Sequence, residues 1–228
     1  MLELKNITKT YGKKTALEDV SVAFGPGQIV GLFGENGAGK TTLMKCILGL
    51  TGYKGEVTLD GERIGCGNIA RLSFATCEHS FFPRLSPQAH REFYREHFPE
   101  FNDKRFETLM DFFGLPGDKA LKSFSVGMQN QFEVVLALSQ GADYILMDEP
   151  FVGLDPKAAH RLKGMMRAVC DGGGAIFFST HVLEVAEKLC DKVAIIRSGR
   201  LIRSGTMEEV KGDDSLEDVF LELEDASC

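Results

Sequence analysis

Residues 34–42 read GENGAGKTT, and this stretch predicts the fold of the chain around it. Gly34, four further residues, and then Gly39, Lys40 and Thr41 have the complete spacing of a phosphate-binding loop, or P-loop. Glycines let successive backbone N–H groups turn inward around a polyphosphate, and Lys40 adds a positive charge for the β- and γ-phosphates. The Thr41 hydroxyl is a ligand for Mg²⁺, which keeps several waters and few protein ligands. The pattern therefore predicts a nucleotide-binding site.

The residues on either side of this loop support the same prediction. Before it, residues 28–33 (QIVGLF) form a short apolar run that is typical of a buried parallel strand. After it, apolar residues recur at helical spacing at Leu43, Ile47 and Leu50. We therefore expect a strand, the loop, and then a helix whose N-terminus faces the phosphates.

Length and charge limit the possible classes of protein. The 228 residues suffice for one large domain, or for one domain with an inserted subdomain. A net charge of −7 argues against broad electrostatic binding to nucleic acid, so no nucleic-acid partner is expected. No apolar run is long enough to span a bilayer, and the N-terminus lacks the apolar core of a signal peptide. The sequence predicts a cytoplasmic protein whose membrane role requires a partner.

Strand and helix patterns alternate on both sides of a helical middle. Residues 1–24 alternate apolar and polar positions between turn-forming residues, as strands do. Residues 80–140 place aromatic and charged side chains at helical spacing. The elements predicted after them are strands at 144–147 and 175–178, a hairpin of 193–196 with 200–202, and helices at 156–170 and 182–190. Such alternation implies an α/β fold with a parallel-sheet core.

Three polar side chains follow two of these predicted strands. Asp148 and Glu149 end the strand at 144–147, and His181 follows the strand around residue 178. Doubly wound sheets bind ligands at the carboxyl ends of their strands, which places all three beside the P-loop. There Asp148 can hold Mg²⁺ through water, Glu149 can polarise the water that attacks the γ-phosphate, and His181 can hydrogen-bond that phosphate. The alternative interpretation of the two carboxylates is an exposed acidic turn.

Together these motifs resemble those of the ATP-binding subunit of ABC transporters over essentially the whole chain. The P-loop matches the Walker A motif, and residues 144–149 (YILMDE) match Walker B. Tyr11 in KTYG matches the aromatic residue that stacks on adenine. Residues 153–155 (GLD) match the D-loop, and the STH ending at His181 matches the switch histidine. Residues 124–128 (FSVGM) occupy the place of the signature motif, LSGGQ.

The resemblance implies a complete architecture. This is an α/β P-loop NTPase fold with a RecA-like parallel-sheet core, an N-terminal antiparallel β subdomain and an inserted α-helical subdomain. A single ABC ATPase domain of residues 1–228 is then divided into a nucleotide-binding core (1–79 and 141–228) and a helical subdomain (80–140) that carries the signature motif. ATP and Mg²⁺ are the implied ligands.

The resemblance also implies partners and residue roles. The partners are a second ATP-binding subunit, identical or different, and a membrane permease that holds the chain on the inner face of the cell membrane. Lys40, Glu149 and His181 are the implied catalytic residues, and Thr41 and Asp148 the implied metal ligands. Residues implied to contact nucleotide are Tyr11, Gly34, Glu35, Asn36, Gly37, Ala38, Gly39, Lys40, Thr41, Thr42, Ser125, Gly127 and Asp155. Of these, the signature residues act on the ATP of the opposite subunit, and the D-loop residue links the two sites.

The signature segment departs from the family pattern in two ways. Val126 and Met128 stand where Gly and Gln are commonest. Val126 adds bulk without charge, so ATP-driven dimerisation should be weaker if its side chain points at the phosphates. Residues 129–131 (QNQ) stand where basic residues are common, so any anion contact there is lost.

The glutamine that usually follows the strand at Phe74 is also missing. Its position falls at Cys77, or at Glu78 if the register slips by one residue. Glu78 could reach a metal through water, whereas Cys77 is mostly a protonated thiol at neutral pH. This departure bears on coupling to the permease.

Residues 82–86 (FPRLS) and 216–221 (LEDVFL) look like the exporter branch of the family, so we predict an energising subunit for export. Two alternatives remain open at this point. One is a soluble ABC ATPase without a transport role, and the other is an ATP-sensing subunit that hydrolyses weakly. The sequence does not name the cargo, because the permease selects it.

Overall fold

The computed structural model describes residues 1–76 and 78–225, so Cys77, one of the two positions predicted to replace the family's glutamine, lies outside the described residues. The strands in this part are β1 Leu2–Tyr11, β2 Lys14–Phe24, β3 Ile29–Phe33, β4 Lys54–Leu59, β5 Glu62–Arg63, β6 Leu72–Ala75, β7 Tyr144–Asp148, β8 Ala175–Thr180, β9 Lys192–Arg197 and β10 Arg200–Thr206. The helices are α1 Lys40–Ile47, α2 Pro87–His97, α3 Asp103–Phe113, α4 Val126–Ser139, α5 Pro156–Asp171, α6 Leu183–Glu187, α7 Met207–Lys211 and α8 Leu216–Asp225.

The strands form two sheets. A four-stranded antiparallel sheet has the order β2-β1-β4-β5, and a six-stranded sheet has the order β10-β9-β3-β8-β7-β6. In the second sheet β6, β7, β8, β3 and β9 run parallel, and β10 pairs antiparallel with β9. The predicted α/β architecture, with a parallel core and an N-terminal antiparallel sheet, is confirmed.

The six-stranded sheet is buried on both faces, as β3 illustrates. Val30 and Leu32 pack into an apolar cluster with α1 and the antiparallel sheet, whereas Ile29 and Phe33 pack into a second cluster with α4 and α5. Successive residues of a strand point to opposite faces, so a strand covered on both sides is apolar throughout. This explains the run at 28–33 and places the P-loop at the exit of a rigid central strand.

Helix caps explain where the helices of the middle begin. Ser86, Asn102 and Ser125 each accept a hydrogen bond from a backbone N–H of the first turn of α2, α3 and α4. Such caps satisfy donors that the helix itself leaves unpaired. All three helices lie within residues 80–140, the stretch predicted to be helical.

Two predicted helix boundaries were wrong. The helix after the P-loop ends at Ile47, and Leu50 lies beyond it with 66% of its surface exposed. Gly49 takes a left-handed conformation (φ 67°), which ends the helix although the apolar spacing continues. The helix predicted at 182–190 is only Leu183–Glu187, because the chain turns there to bury Leu189 and Cys190 before β9.

Among the described residues, no helix has both the length and the apolar character that a bilayer crossing requires.

Candidate functional site

The P-loop joins the end of β3 to the start of α1, and its backbone is shaped by glycine. Gly37 (φ 85°) and Gly39 (φ 111°) lie in the left-handed region that favours glycine. A Cβ at Gly34 would overlap the carbonyl oxygen of Ile196 on β9. Glycine is therefore required both for the turn and for its close approach to the sheet, which leaves the N-terminus of α1 directed at the loop.

Replacing Gly34 by Ala should destabilise the protein and weaken nucleotide binding. Overpacking costs about 1–3 kcal/mol, and about 2–4 °C of Tm accompanies each kcal/mol in a chain of this size, so we expect Tm to fall by roughly 2–12 °C. Thermal unfolding measures this directly. Gly65→Ala is the matched control, since a Cβ at Gly65 meets no atom of the described residues within 4 Å. An equal loss in both variants would contradict the argument.

The Lys40 side chain lies between the loop and a carboxylate. It is 6% exposed, and its Nζ donates to the carbonyl oxygens of Gly34 (2.6 Å) and Glu35 (3.2 Å). The same nitrogen is 3.4 Å from Glu149 Oε1. A phosphate entering the loop would therefore meet a positive charge that is already positioned, beside a carboxylate on the opposite side.

Asp148 is held by two hydroxyl groups at the end of β7. Thr41 Oγ1, from the first turn of α1, donates to Asp148 Oδ2 at 2.6 Å. Ser179 Oγ, from the adjacent strand β8, donates to Asp148 Oδ1 and also accepts the backbone N–H of Glu149 at 2.9 Å. One serine therefore contacts the carboxylate of Asp148 and the backbone of Glu149, the two acidic residues that the sequence pointed to.

Glu149 and His181 follow the paired strands β7 and β8, and their side chains lie in contact. His181 Nδ1 is 3.0 Å from Glu149 Oε2. Glu149 has a φ of 51°, which is uncommon for a residue with a side chain. The hydrogen bond from its backbone to Ser179 supports this conformation.

A cleft of about 470 Å³ adjoins the loop. Its walls include Tyr11, residues 14–16, the P-loop and first turn of α1, and the turn at Ser198 and Gly199. Its volume is within the range of small-molecule sites. Tyr11, predicted to stack on adenine, thus lies at the mouth of the same cleft as Lys40 and Thr41.

The signature and D-loop residues lie apart from this cleft, whose described lining includes none of Ser125, Gly127 and Asp155. Ser125 is an exposed cap of α4, and Val126, which follows it, is 70% exposed. A Cβ at Gly153 would lie 3.8 Å from the Gly127 Cα, so the two segments pack together. Asp155 caps α5, accepting the N–H groups of Lys157 and Ala158 at 2.8 and 2.9 Å.

The structure adds residues that sequence reasoning missed. Ser179 was noted only as part of the STH motif, because its place opposite Asp148 emerges only once β8 is known to pair with β7. The turn at Gly199 is tied to the loop by its N–H, which donates to the carbonyl oxygen of Ala38 at 2.9 Å. Glu78 is not one of these residues, because the sequence analysis named it as a possible replacement for the family's glutamine; here both of its carboxylate oxygens lie 2.7 Å from Lys45 Nζ.

Comparisons with known proteins agree with this site. The family model described as ABC transporter matches residues 17–152, more than half of the chain. The chain is 34% identical over 240 aligned residues to the ABC-type transporter ATP-binding protein EcsA of Bacillus subtilis, covering 98% of this chain and 96% of that protein. It is 29% identical to the lipopolysaccharide export system ATP-binding protein LptB of Haemophilus influenzae, with 97% of each covered.

A solved ATP-binding subunit of an ABC transporter superposes with a TM-score of 0.89 at 29% identity, covering 98% of this chain and 99% of that one. A dimeric ATP-binding cassette in a post-hydrolysis state with ADP and phosphate superposes with a TM-score of 0.79 at 22% identity, covering 91% and 99%, which shows the shared fold. The chain therefore belongs to the ABC transporter family, as one of its ATP-binding and ATP-hydrolysing cassettes.

Proposed function

We propose that two copies of this cassette, or this cassette and a related one, close around two ATP molecules and drive a separate membrane permease for export. The observation that carries the proposal is the grouping of Lys40, Glu149 and His181 with the Thr41–Asp148 pair at one end of the sheet. This grouping supplies a phosphate-binding cation, a base and a metal-binding oxygen pair. Its attachment to a permease would place the chain on the inner face of the cell membrane.

Thr41 and Asp148 fit Mg²⁺. Their hydroxyl and carboxylate oxygens already lie 2.6 Å apart, and Mg²⁺ accepts few protein oxygens while it keeps its waters and takes phosphate oxygens. Mg²⁺ held by these two residues would supply positive charge that offsets the negative charge of a bound triphosphate. The remaining chemistry belongs to the side chains of the cassette.

Four side chains have assigned tasks in the proposed hydrolysis. Tyr11 stacks on the adenine, and Lys40 exchanges the loop carbonyls for phosphate oxygens. Glu149 accepts a proton from the attacking water, which raises the nucleophilicity of that water. His181, hydrogen-bonded to Glu149, orients that carboxylate and contacts the γ-phosphate.

Replacing Ser179 by Ala should impair this site without touching ATP. The change removes the hydroxyl that donates to Asp148 and leaves the Glu149 N–H without its acceptor. Loss of such a supporting group typically costs 10- to 100-fold in metal affinity or activity, and we expect roughly that loss in the Mg²⁺ dependence of ATP turnover. A Mg²⁺ titration of the ATPase rate measures it. Ser73→Ala, another buried strand serine, should have no such effect; unchanged Mg²⁺ dependence in Ser179→Ala would refute the role.

The exposed signature segment supports a dimeric site. Ser125 and Gly127 lie at the N-terminus of a 14-residue helix, where backbone N–H groups favour an anion. Since they lie apart from the P-loop cleft of their own chain, we propose that they meet the ATP held by the second subunit, with Asp155 between the two sites. Val126 lies on the surface that would approach this ATP. Its bulk favours the second candidate function, an ATP-sensing subunit that dimerises and hydrolyses ATP weakly.

An exposed apolar surface supports the proposed contact with a membrane permease. Phe82 and Phe93, which we call the aromatic patch, are both exposed, Phe82 by 52%, and the nearby Leu85 is exposed as well. Phe82 and Phe93 contact each other edge to face, with ring centroids 5.8 Å apart. Exposed, contiguous aromatic side chains mark interaction sites. Export as the direction rests on residues 82–86 and 216–221, and on the relative that is named for lipopolysaccharide export.

The test is a pull-down of tagged Glu149→Gln protein from detergent-solubilised native membranes, with ATP and Mg²⁺ present. Capture of a multi-span membrane protein in near-equal amount supports the proposal. If adding Phe82→Ser to the tagged protein prevents that capture, the contact lies on the aromatic patch. Leu50→Ser, which changes an exposed leucine elsewhere, is the control. A soluble partner, or none, would overturn the permease proposal.

A further inference from the structure

Glu133 lies on α4 within an otherwise apolar run, residues 132–138 (FEVVLAL), and it is only 1% exposed. Glutamate is almost never buried this completely unless it is paired. Its partner is Ser80, whose backbone N–H and hydroxyl both donate to the carboxylate, the hydroxyl at 2.8 Å. Neither residue takes part in the proposed binding or hydrolysis of ATP.

The donors around this carboxylate come from one short stretch of chain. Burial raises the pKa of Glu133, whereas hydrogen bonds from Ser80 and from the backbone N–H groups of Phe81 and Thr76 lower it. A carboxylate is an acceptor with two oxygens and about four lone-pair sites, which suits several converging donors. The carboxylate thus fixes to α4 a segment, Thr76 and residues 78–81, that we call the anchored segment.

The anchored segment reaches from the nucleotide-binding helix to the aromatic patch. Near its start, Glu78 pairs with Lys45 of α1, the helix that follows the P-loop. At its end, Phe81 packs edge-on against Phe132 of α4, with ring centroids 6.0 Å apart, and the next residue is Phe82. A displacement of the patch would therefore be passed along this segment to α4.

The same side of α4 borders the catalytic carboxylates. Asn130 and Glu133 are three residues apart and so lie on one face of the helix. With Asp148 and Glu149 they line a cavity of about 10 Å³, which has room for about one water molecule. Within the described residues, Asn130 Oδ1 and Glu149 Oε1 are buried without a hydrogen-bond partner, although the Lys40 ammonium lies 3.4 Å from Glu149 Oε1. The position of α4 therefore determines what surrounds the base.

We propose that Glu133 is a positioning residue for ATP hydrolysis, whose carboxylate fixes the anchored segment to α4 and thereby holds that helix against Asp148 and Glu149. The inference rests on the proposed function, which assigns Glu149 the role of base and Ser125 a contact with the second ATP. Ser125 caps α4 about 12 Å along the helix from Glu133. The buried contact between Glu133 and Ser80 then connects three parts of the chain. These are the aromatic patch, the general base Glu149, and the signature residues at the start of α4.

Glu133→Gln tests this with a side chain of the same size. It replaces one acceptor oxygen by an NH₂ donor that faces other donors. We expect kcat of the purified full chain to fall roughly 10- to 100-fold, as small misplacements of catalytic groups do. The ATP Kd should stay unchanged because the P-loop is untouched, and backbone amide exchange at residues 78–81 should become faster.

Two further variants separate positioning from simple stability. Ser80→Ala removes only the hydroxyl donor, and its effect on kcat should be non-additive with Glu133→Gln because the two share one contact. Ser139→Ala, a buried change on the same helix, should leave kcat unchanged. Should Glu133→Gln fail to fold, the kcat and amide exchange of Ser80→Ala decide.

Wild-type kcat in Glu133→Gln, or a loss that merely tracks the folded fraction, overturns the inference. These assays use the cassette without a permease, so their outcome is independent of the pull-down. A normal kcat in Glu133→Gln together with a captured permease overturns only the positioning role. A lowered kcat with no captured permease overturns only the transport partner.

Discussion

Glu149→Gln should lower ATP turnover by roughly 100- to 10,000-fold, the usual contribution of a general base, while ATP remains bound. Glutamine has the size of glutamate and can still hydrogen-bond His181, but it cannot accept a proton from water. Its neutrality also leaves Lys40, 3.4 Å away in the native protein, fully available to phosphate. Bound ATP therefore persists, and a dimer that ATP stabilises should accumulate.

Two measurements are needed for Glu149→Gln. Phosphate release gives the turnover, and light scattering with ATP and Mg²⁺ gives the mass of the assembly. Glu62→Gln, a charge change at an exposed strand residue, should match the wild type in both. If Glu149→Gln retains more than about a tenth of wild-type turnover, the expected loss of a general base is absent and another group must accept the proton. A strictly monomeric variant would favour the weakly dimerising alternative that Val126 raises.

Much of the site could be predicted because its motifs are short stretches of sequence. The parallel arrangement of the strands then brings these motifs together at one edge of the sheet. The spacing of Gly34, Gly39 and Lys40 fixes the loop, and side chains that follow parallel strands meet at one edge. Asp148, Glu149 and His181 could therefore be placed at one edge of the sheet from the sequence alone. Such prediction needs no knowledge of packing.

Contacts between distant residues could not be predicted in this way. Glu133 and Ser80 are 53 residues apart, and a lone carboxylate in an apolar helix has no periodic signal that identifies its partner. Ser179 is one of many serines until β8 is known to lie beside β7. The prediction of helix ends was wrong for a related reason. Periodicity continued to Leu50, but the left-handed conformation of Gly49 ended the helix.

Lys40→Ala should impair a different step, the binding of phosphate. Loss of one preorganised charge or donor at the reacting centre costs roughly 10²–10³ in kcat, and here the same group also binds the ground state, so ATP affinity should fall as well. The native contacts add to the effect. Lys40 Nζ donates to two loop carbonyls and faces Glu149, so alanine leaves that largely buried carboxylate without the nearby cation.

The contrast between the two variants distinguishes the roles of the two residues. Calorimetric titration with ATP should show near-native affinity in Glu149→Gln and weakened affinity in Lys40→Ala. Lys54→Ala, at an exposed strand position, is the control for loss of a lysine. The double variant should lose little more turnover than the worse single one, because residues that act as a unit are non-additive. Native ATP affinity together with native turnover in Lys40→Ala would remove the lysine from the mechanism, and with it the reason for placing the γ-phosphate between the loop and Glu149.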